Sequence, residues 1–544
     1  MNLLIYPPFA DPTQSYPALP LLKGYLKDLG DEMQIVDFNL EGLLETANVG
    51  GFDEIRRFQD PEYFYESRAY EQAGNALKKL YQTLSRKSGT IIDNNRHFDP
   101  AGPWTLEKLN KYFRDKKSPF HRFYQSRLSS LKTEKPSIVG INLTFTSQLP
   151  EAFYLAWLIK EMSPAVFVLL GGALAGQIVT QIPTSKIEQL LLVFDGICYF
   201  EGGPTLHSVI SQVSTHNRLV EPVPNMLSLQ DGRIVRGGVE IVDFKCAPLP
   251  DFDGFSLNKY LAPSPIVLFH PTAGCYWNRC SFCRYGFNQE CGMKYREMNP
   301  KRAVSQIQRL KEELGVQNFY MSSDVLSPKF AIHFAEALIE KKIEIKWSTD
   351  LRIEESYTKG TAELLAKSGL VSVAFGIESG SDRVLQKMDK GINRELAAAV
   401  NRNFSDAGIA TCWMMFHYHP TETVDEAKLS IQFLEQHRKH VSLFIVGEFG
   451  LTPHSKIFDN PKAFGIRDIF YHPDDAFGLY PYPEYASRKK GNASAHSELL
   501  DRMTAAAASK YRLRPYPFAG AISTHHSMLY FIRFGKDAFK KKTD

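Results

Sequence analysis

The sequence lacks any hydrophobic run long enough to cross a bilayer. Its most apolar stretch, residues 165–175, is eleven residues long and contains the step Gly171-Gly172, against the ~20 residues a spanning helix needs. The first residues, MNLLIYPPFADP, have no basic segment ahead of a short apolar run that two prolines cut off. They predict a first β-strand and no secretory signal. Charge of one sign is also lacking: 64 Lys and Arg against 60 Asp and Glu leave +4. That disfavours a nucleic-acid-coating protein, whose basic excess is larger. Cysteine is scarce and odd in number, seven in 544 residues, which excludes a disulfide scaffold. Repeats and long low-complexity segments are absent. The expectation is a cytoplasmic protein with reduced thiols, no membrane contact and no nucleic-acid partner.

What is present is ordinary globular material, 44% hydrophobic and 23% charged, enough for several cores. A strand at 2–6, a helix at 19–29 and a strand at 33–38 open a βα rhythm. Residues 41–135 break it with aromatic-rich helical spacing at 70–85 and 105–131, and read as a helical insertion. The rhythm resumes with strands at 137–143, 166–170 and 196–200 and a helix at 149–161. Short apolar strands alternating with helices predict an α/β fold with a doubly wound, Rossmann-like parallel sheet over 1–215. Residues 216–262 read as a linker with a hairpin across Asp231-Gly232. A second series follows, with strands at 266–270, 318–322, 345–348, 371–375, 411–416 and 443–446. Six such strands over 263–450 predict a partial (β/α)6 barrel, leaving 451–544 as an α-rich C-terminal cap.

Three of the seven cysteines crowd into one decapeptide, GCYWNRCSFC at 274–283. Cys275, Cys280 and Cys283 follow the first strand of the second series, where barrel chemistry gathers. Three thiolates can hold one metal centre. Structural zinc wants four ligands, and Cys291 or His270 are candidates for the fourth. A [4Fe–4S] cluster held by three cysteines keeps one iron open to a ligand. The other four cysteines, Cys198, Cys246, Cys291 and Cys412, read as ordinary buried thiols.

The cysteine loop, with Phe282 before its last cysteine, resembles that of the radical S-adenosylmethionine (SAM) superfamily, with one extra residue in the first gap. FGIESGSDRVLQKMDKG at 375–391 resembles that superfamily's fourth-strand signature in its methylthiotransferase-like and cobalamin-dependent branches. At 417–423 the sequence HYHPTET stands where the family has a Gly-Pro-Gly-Glu-Thr-like turn, with the glycines replaced. The resemblance implies that Cys275, Cys280 and Cys283 bind a [4Fe–4S] cluster whose open iron takes SAM. It implies SAM contacts from Phe282, Ser322, Asp324, Arg352 and Glu378, with Arg352 gripping a carboxylate bidentately. His417 and His419 become candidates for the active site or substrate pocket.

Residues 1–215 resemble the cobalamin-binding domain of cobalamin-dependent radical SAM enzymes. The candidate cobalamin contacts are Pro8, Thr144, Ser147, Gly171, Gly172, Glu201, Gly202 and Gly203, all after strand ends. No histidine precedes His97, so the lower axial Asp-x-His-x-x-Gly loop of many cobalamin proteins is missing. The implied activity is reductive cleavage of SAM to a 5′-deoxyadenosyl radical and cobalamin-dependent methylation of an unactivated carbon. Its partners are a peptide or small-molecule substrate and an electron donor such as flavodoxin or ferredoxin. The alternatives are radical cyclisation, rearrangement or oxidation without methyl transfer, and a zinc-stabilised scaffold without catalysis.

Overall fold

A computed structural model describes residues 2–93, 96–129, 136–284, 294–485, 493–511 and 525–541. The chain divides into two compact units, 1–263 with 471–480 and 517–519, and 264–470 with 481–516 and 520–544. Among the described residues, no helix is long and apolar enough to cross a membrane.

The first unit is built on a seven-stranded sheet. Strands β1 (Asn2–Tyr6), β2 (Met33–Asp37), β5 (Ile138–Asn142), β6 (Phe167–Gly171) and β7 (Gly196–Cys198) are parallel, in the order β2-β1-β5-β6-β7. The chain reverses its winding between β1 and β5, and the crevice beyond their carboxyl ends is where such sheets take ligands. Strand β8 (Met226–Gln230) pairs antiparallel with β7, and β9 (Arg233–Arg236) antiparallel with β8, extending the sheet. Their turn has Asp231 and Gly232 both at positive φ, 47° and 73°, the geometry that matches a hairpin's twist.

The insertion is helical at Phe38–Gly50 and Ser67–Ser88 and carries a small hairpin, β3 (Ile91–Asp93) and β4 (Arg96–Phe98). The single helical segment expected at 105–131 is two helices, Leu106–Arg114 and His121–Leu128. Lys116 at φ +52° and Pro119 break the run, since neither fits a continuing helix. Glu151, wholly buried, joins the insertion to the helix Leu149–Met162. Its carboxyl accepts from Tyr112 Oη at 2.8 Å, Ser118 Oγ at 2.7 Å and Tyr124 Oη at 2.9 Å.

The second unit holds six parallel strands in sequence order: β10 (Ile266–Phe269), β13 (Asn318–Met321), β14 (Lys346–Leu351), β15 (Leu370–Glu378), β16 (Ala410–His417) and β17 (Leu443–Glu448). Trp347 packs on Phe334, Phe375 on Phe404 and Trp413 on Phe433. These partners lie on the helices Pro328–Glu340, Arg394–Asp406 and Val424–His437. Strand side chains alternate, so Asp350, Ala374, Cys412 and Phe416 face the inside. Two-residue strands β11 (Thr272–Ala273) and β12 (Arg296–Glu297) pair antiparallel and clip together the two ends of the segment that carries the cysteines. A hairpin, β18 (Ile466–Tyr471) and β19 (Pro481–Tyr485), and helices Ala493–Ala508 and His525–Phe534 complete the described elements.

Candidate functional site

The cysteine loop leaves β10 through Gly274, whose φ of +78° is the left-handed backbone that glycine adopts freely. Its N–H donates to Asp324 Oδ2 at 2.9 Å, tying the loop to the end of β13. Beside it, the Ser322 N–H donates to the Phe269 carbonyl at 2.8 Å, and the Ser322 carbonyl accepts from the His270 ring.

From there the loop is held by the 375–391 motif. Trp277 Nε1 donates to the Asp389 carbonyl at 2.8 Å, Ser281 N–H to the Met388 carbonyl at 2.8 Å, and Ser281 Oγ to the Lys387 carbonyl at 3.1 Å. Arg279 pairs with Asp389 at 3.0 Å. A Cβ at Gly391 would stand 2.2 Å from the Trp277 ring, so only glycine lets the indole seat there. Phe282 packs edge-on to Phe416 at 5.1 Å and against Val384, Leu385 and Met388. Two segments some hundred residues apart thus make one structure.

Cys275, Cys280 and Cys283 are each partly exposed, and none of the six described cysteines is in a disulfide. Burial pushes the Cys280 thiol up, while Lys390 and Arg352 beside it pull it down. Glu378 ends β15 at φ +62°, a strained position for a non-glycine residue. Its carboxylate pairs with Lys390 at 2.7 Å. Burial opposes the Lys390 charge, but Glu378 and Cys280 outweigh it and hold its pKa above the ordinary value. The donor set fits an iron–sulfur centre: three unbridged thiols on one clamped loop, with cations beside them to offset thiolate charge. Among the described residues no three His, Cys, Asp or Glu side chains close on a single metal-ion position. Cys291, the candidate fourth zinc ligand, lies outside the described residues. Cys198 and Cys412 are buried as expected, but Cys246 is exposed, because it ends a short 3-10 turn, Phe244–Cys246, with no buried residue.

Arg352 already has partners within the chain. Nε donates to Glu354 Oε1 at 2.8 Å, Nη1 to the Lys390 carbonyl at 2.6 Å, and the guanidinium lies 4.0 Å from the Trp277 ring centroid. Nη2 alone is buried without a partner. Nε and Nη1 are thus engaged within the chain. His417 alternates with Trp413 and so shares its helix-facing side. Both its ring nitrogens are buried and without a partner among the described residues, and burial lowers its pKa to about 4. His419 is wholly buried, edge-on to Phe449 at 5.8 Å, its Nδ1 bonded to Thr421 Oγ1 at 3.0 Å. Burial also lowers its pKa to about 4. Glu422 in the same turn is raised to about 8 by burial, although its carboxyl accepts the Tyr418 N–H at 2.7 Å. Lys390, Trp277, Asp389 and Gly391 were not among the residues singled out. The signal was available in the Asp389-Lys390-Gly391 end of the quoted motif.

In the first unit, Ser147 Oγ donates to the Phe9 carbonyl at 2.7 Å, and Gln148 Nε2 to the Pro7 carbonyl at 2.8 Å. These bonds stitch the ends of β1 and β5 beside Pro8. Thr144 Oγ1 donates to Asn142 at 2.7 Å. The glycines serve packing: a Cβ at Gly172 would meet the Leu143 carbonyl at 2.5 Å, at Gly203 the Tyr25 ring at 2.8 Å, and at Gly202 Leu22 at 3.1 Å, whereas Gly171 has Cys198 at 3.6 Å. Glu201 accepts the Val242 N–H, and its carbonyl accepts from Asn225 at 3.0 Å. His97 is buried against Phe9, Trp104 and Tyr112. What the crevice does present is aromatic: Phe145 is 43% exposed, next to Tyr16, which stacks on Tyr6.

Residues 269–434 match the sequence profile of the Radical SAM superfamily. That stretch, which carries the cysteine loop and the 375–391 motif, is a radical SAM domain. The cofactors that this superfamily implies are a [4Fe–4S] cluster and SAM. An uncharacterized methyltransferase of Pyrococcus horikoshii, PH0819, is 25% identical over 56% of this chain and 65% of its own length. The radical SAM methyltransferase TsrM of Kitasatospora setae, solved with cobalamin and a [4Fe–4S] cluster bound, superposes with TM-score 0.59 at 13% identity, over 92% of this chain and 90% of TsrM. The cobalamin-dependent SAM radical enzyme OxsB, with aqua-cobalamin and SAM bound, gives TM-score 0.54 at 15% identity over 85% of this chain and 56% of OxsB. The chain thus spans less than two thirds of PH0819 and of OxsB. Both solved structures share its fold, a Rossmann-like sheet followed by a six-stranded parallel sheet.

Proposed function

We propose that this protein is a cobalamin-dependent radical SAM methyltransferase acting on an unactivated carbon of a peptide or natural-product substrate. The observation that carries the reading is the clamp between the cysteine loop and the 387–391 turn, which puts Lys390, Arg352 and Glu378 around Cys280. Cys275, Cys280 and Cys283 would hold the cluster, and the two cations would favour the thiolate form it needs. Asp324, through Gly274, fixes where the loop starts. When bound, the cluster would supply one-electron chemistry for cleaving SAM, with a flavodoxin or ferredoxin as electron source, and cobalamin would supply methyl-transfer chemistry. Phe145 and Tyr16 beyond β1 and β5, set edge to face, offer apolar contact for a macrocycle. Phe282 and Phe416 shield the barrel mouth from water.

The internal use of Gly172, Gly202, Gly203 and His97 favours a second reading, radical chemistry on this scaffold without methyl transfer. Anaerobic reconstitution tests the cluster: Cys280→Ala is expected to lose most of its iron, and unchanged iron overturns the assignment. Corrin content after growth with cobalamin, and a product heavier by about 14 mass units per methyl, separate the two readings.

A further inference from the structure

Below the cysteine site, the barrel interior carries a second polar layer. Asp350 on β14, Ala374 on β15 and Cys412 on β16 stand side by side in register, all on the inward face. They lie two residues, or about 6–7 Å of strand, below the layer of Gly376. Tyr320 on β13 donates to Asp350 Oδ1 at 2.8 Å. Tyr320 and Asp350 remain partly accessible, so the layer borders open space. His525, at the start of helix His525–Phe534, places its ring 6.2 Å from the Tyr320 ring. It is 1% exposed, and neither ring nitrogen has a partner among the described residues.

The charges in this layer do not balance. Burial raises Asp350 to about 6, still below neutral pH. It is therefore largely a carboxylate there, with one hydroxyl donor and no cationic partner among the described residues. The nearby imidazole cannot serve, because burial and His526 hold His525 near 3 and so neutral. Cys412, 1% exposed and raised by burial and by Asp350, stays a thiol. A buried carboxylate is normally paired. Between Asp350 and Cys412, Ala374 contributes only a methyl group to the layer.

We infer that Asp350, Tyr320 and His525 form a substrate-anchoring site that takes a protonated basic nitrogen, with Asp350 as its counter-ion. The inference deepens the proposed function and rests on it for the identification of the occupant as substrate. A group anchored at this depth would present its neighbouring carbons upward, toward the cysteine loop. His525 supplies one donor and one acceptor for a second polar group of the same molecule.

The test uses two matched probes, 2-phenylethylamine and the neutral 2-phenylethanol, titrated into the full-length reconstituted protein at pH 7.5. The amine is expected to bind roughly tenfold tighter than the alcohol, and Asp350→Asn to abolish that preference while retaining alcohol binding. Tyr320→Phe, which removes only the hydroxyl, is expected to weaken amine binding less than Asp350→Asn does. Equal binding of the two probes, absence of binding, or an amine preference that survives in Asp350→Asn overturns the inference. The wild-type comparison is decisive even where the variant fails to fold. Protein that carries iron and SAM yet does not prefer the amine leaves the proposed function standing. Protein that takes up no iron overturns that function whatever the probes do.

Discussion

The Lys390 ammonium stands 2.7 Å from the Glu378 carboxylate, with the two side chains only 8% and 13% exposed. The pair joins residues twelve positions apart, closing a loop that starts at the end of β15 and returns under the cysteine segment. Its position matters more than its intrinsic stability, because a buried pair gains little over an apolar one yet costs a great deal when halved. Lys390→Met strands the Glu378 carboxylate and is expected to destabilise the fold by about 3–5 kcal/mol. The double variant Glu378→Gln/Lys390→Met should recover much of that loss. Chemical denaturation of the three proteins checks it; equal stability of single and double variants contradicts the coupling.

Gly391 gives a sharper handle on the cysteine loop. Its φ is +72°, and an added Cβ would stand 2.2 Å from the Trp277 ring. Gly391→Ala must move the indole off the Asp389 carbonyl. Reconstituted iron per chain is expected to fall by at least about half, since a metal site depends on the shell that orients its ligands. Circular dichroism should stay native, because the strands beneath are untouched. Iron content equal to wild type would show that the Trp277 anchor does not position the cysteines.

Much of this arrangement was legible in the sequence, for reasons particular residues make clear. The strands of both sheets are short apolar runs bounded by turn residues, such as Asn2–Tyr6 before Pro7-Pro8, and their period and punctuation survive folding. The cysteine triplet declares itself by spacing. Contacts made by backbone atoms did not declare themselves: Trp277 meets Asp389, and Ser281 meets Lys387 and Met388, through carbonyls that any residue carries. Arg352 was legible as a cation at a strand end. Its capture by Glu354, the Lys390 carbonyl and Trp277 depends on a turn that only the folded chain assembles. The strand-end glycines are legible as places without a side chain, but that a Cβ at Gly172 or Gly203 would meet Leu143 or Tyr25 depends on neighbours set by tertiary packing.

The turn after β16 titrates in two opposed ways. His417 and His419 fold with pKa values near 4, below the ordinary value of 6.5. The unfolded chain binds more protons between those limits, so stability rises with pH from about 4 to 6.5. Glu422 folds with a pKa near 8, above the ordinary 4.5. Here the folded chain binds the extra proton, so its contribution is full below about 4.5 and falls as pH rises toward 8. Glu422→Gln removes only the second effect. The variant is expected to gain stability relative to wild type as pH rises from 5 to 8, by on the order of 2 kcal/mol. Thermal melts across that range check the sign; a difference that stays flat with pH means that Glu422 keeps an ordinary pKa.

Glu151 makes the strongest stability prediction in the first unit. Its wholly buried carboxyl collects three hydroxyl donors, two of them, Tyr112 and Tyr124, from separate helices of the insertion. Burial lifts its pKa to about 7 in spite of those donors. Glu151→Ala leaves three buried hydroxyls without their acceptor and opens a cavity, and each stranded group costs about 1–3 kcal/mol. A loss of at least about 3 kcal/mol is expected, with Glu151→Gln milder because the amide still accepts at one oxygen. The loss should concentrate where the insertion meets the helix Leu149–Met162. Hydrogen exchange should therefore rise in Leu106–Arg114 and His121–Leu128 well before it rises in β5. Exchange that rises uniformly, or an alanine variant as stable as wild type, would show that the aromatic packing of Tyr112, Tyr124 and Tyr154 holds the insertion without the carboxyl.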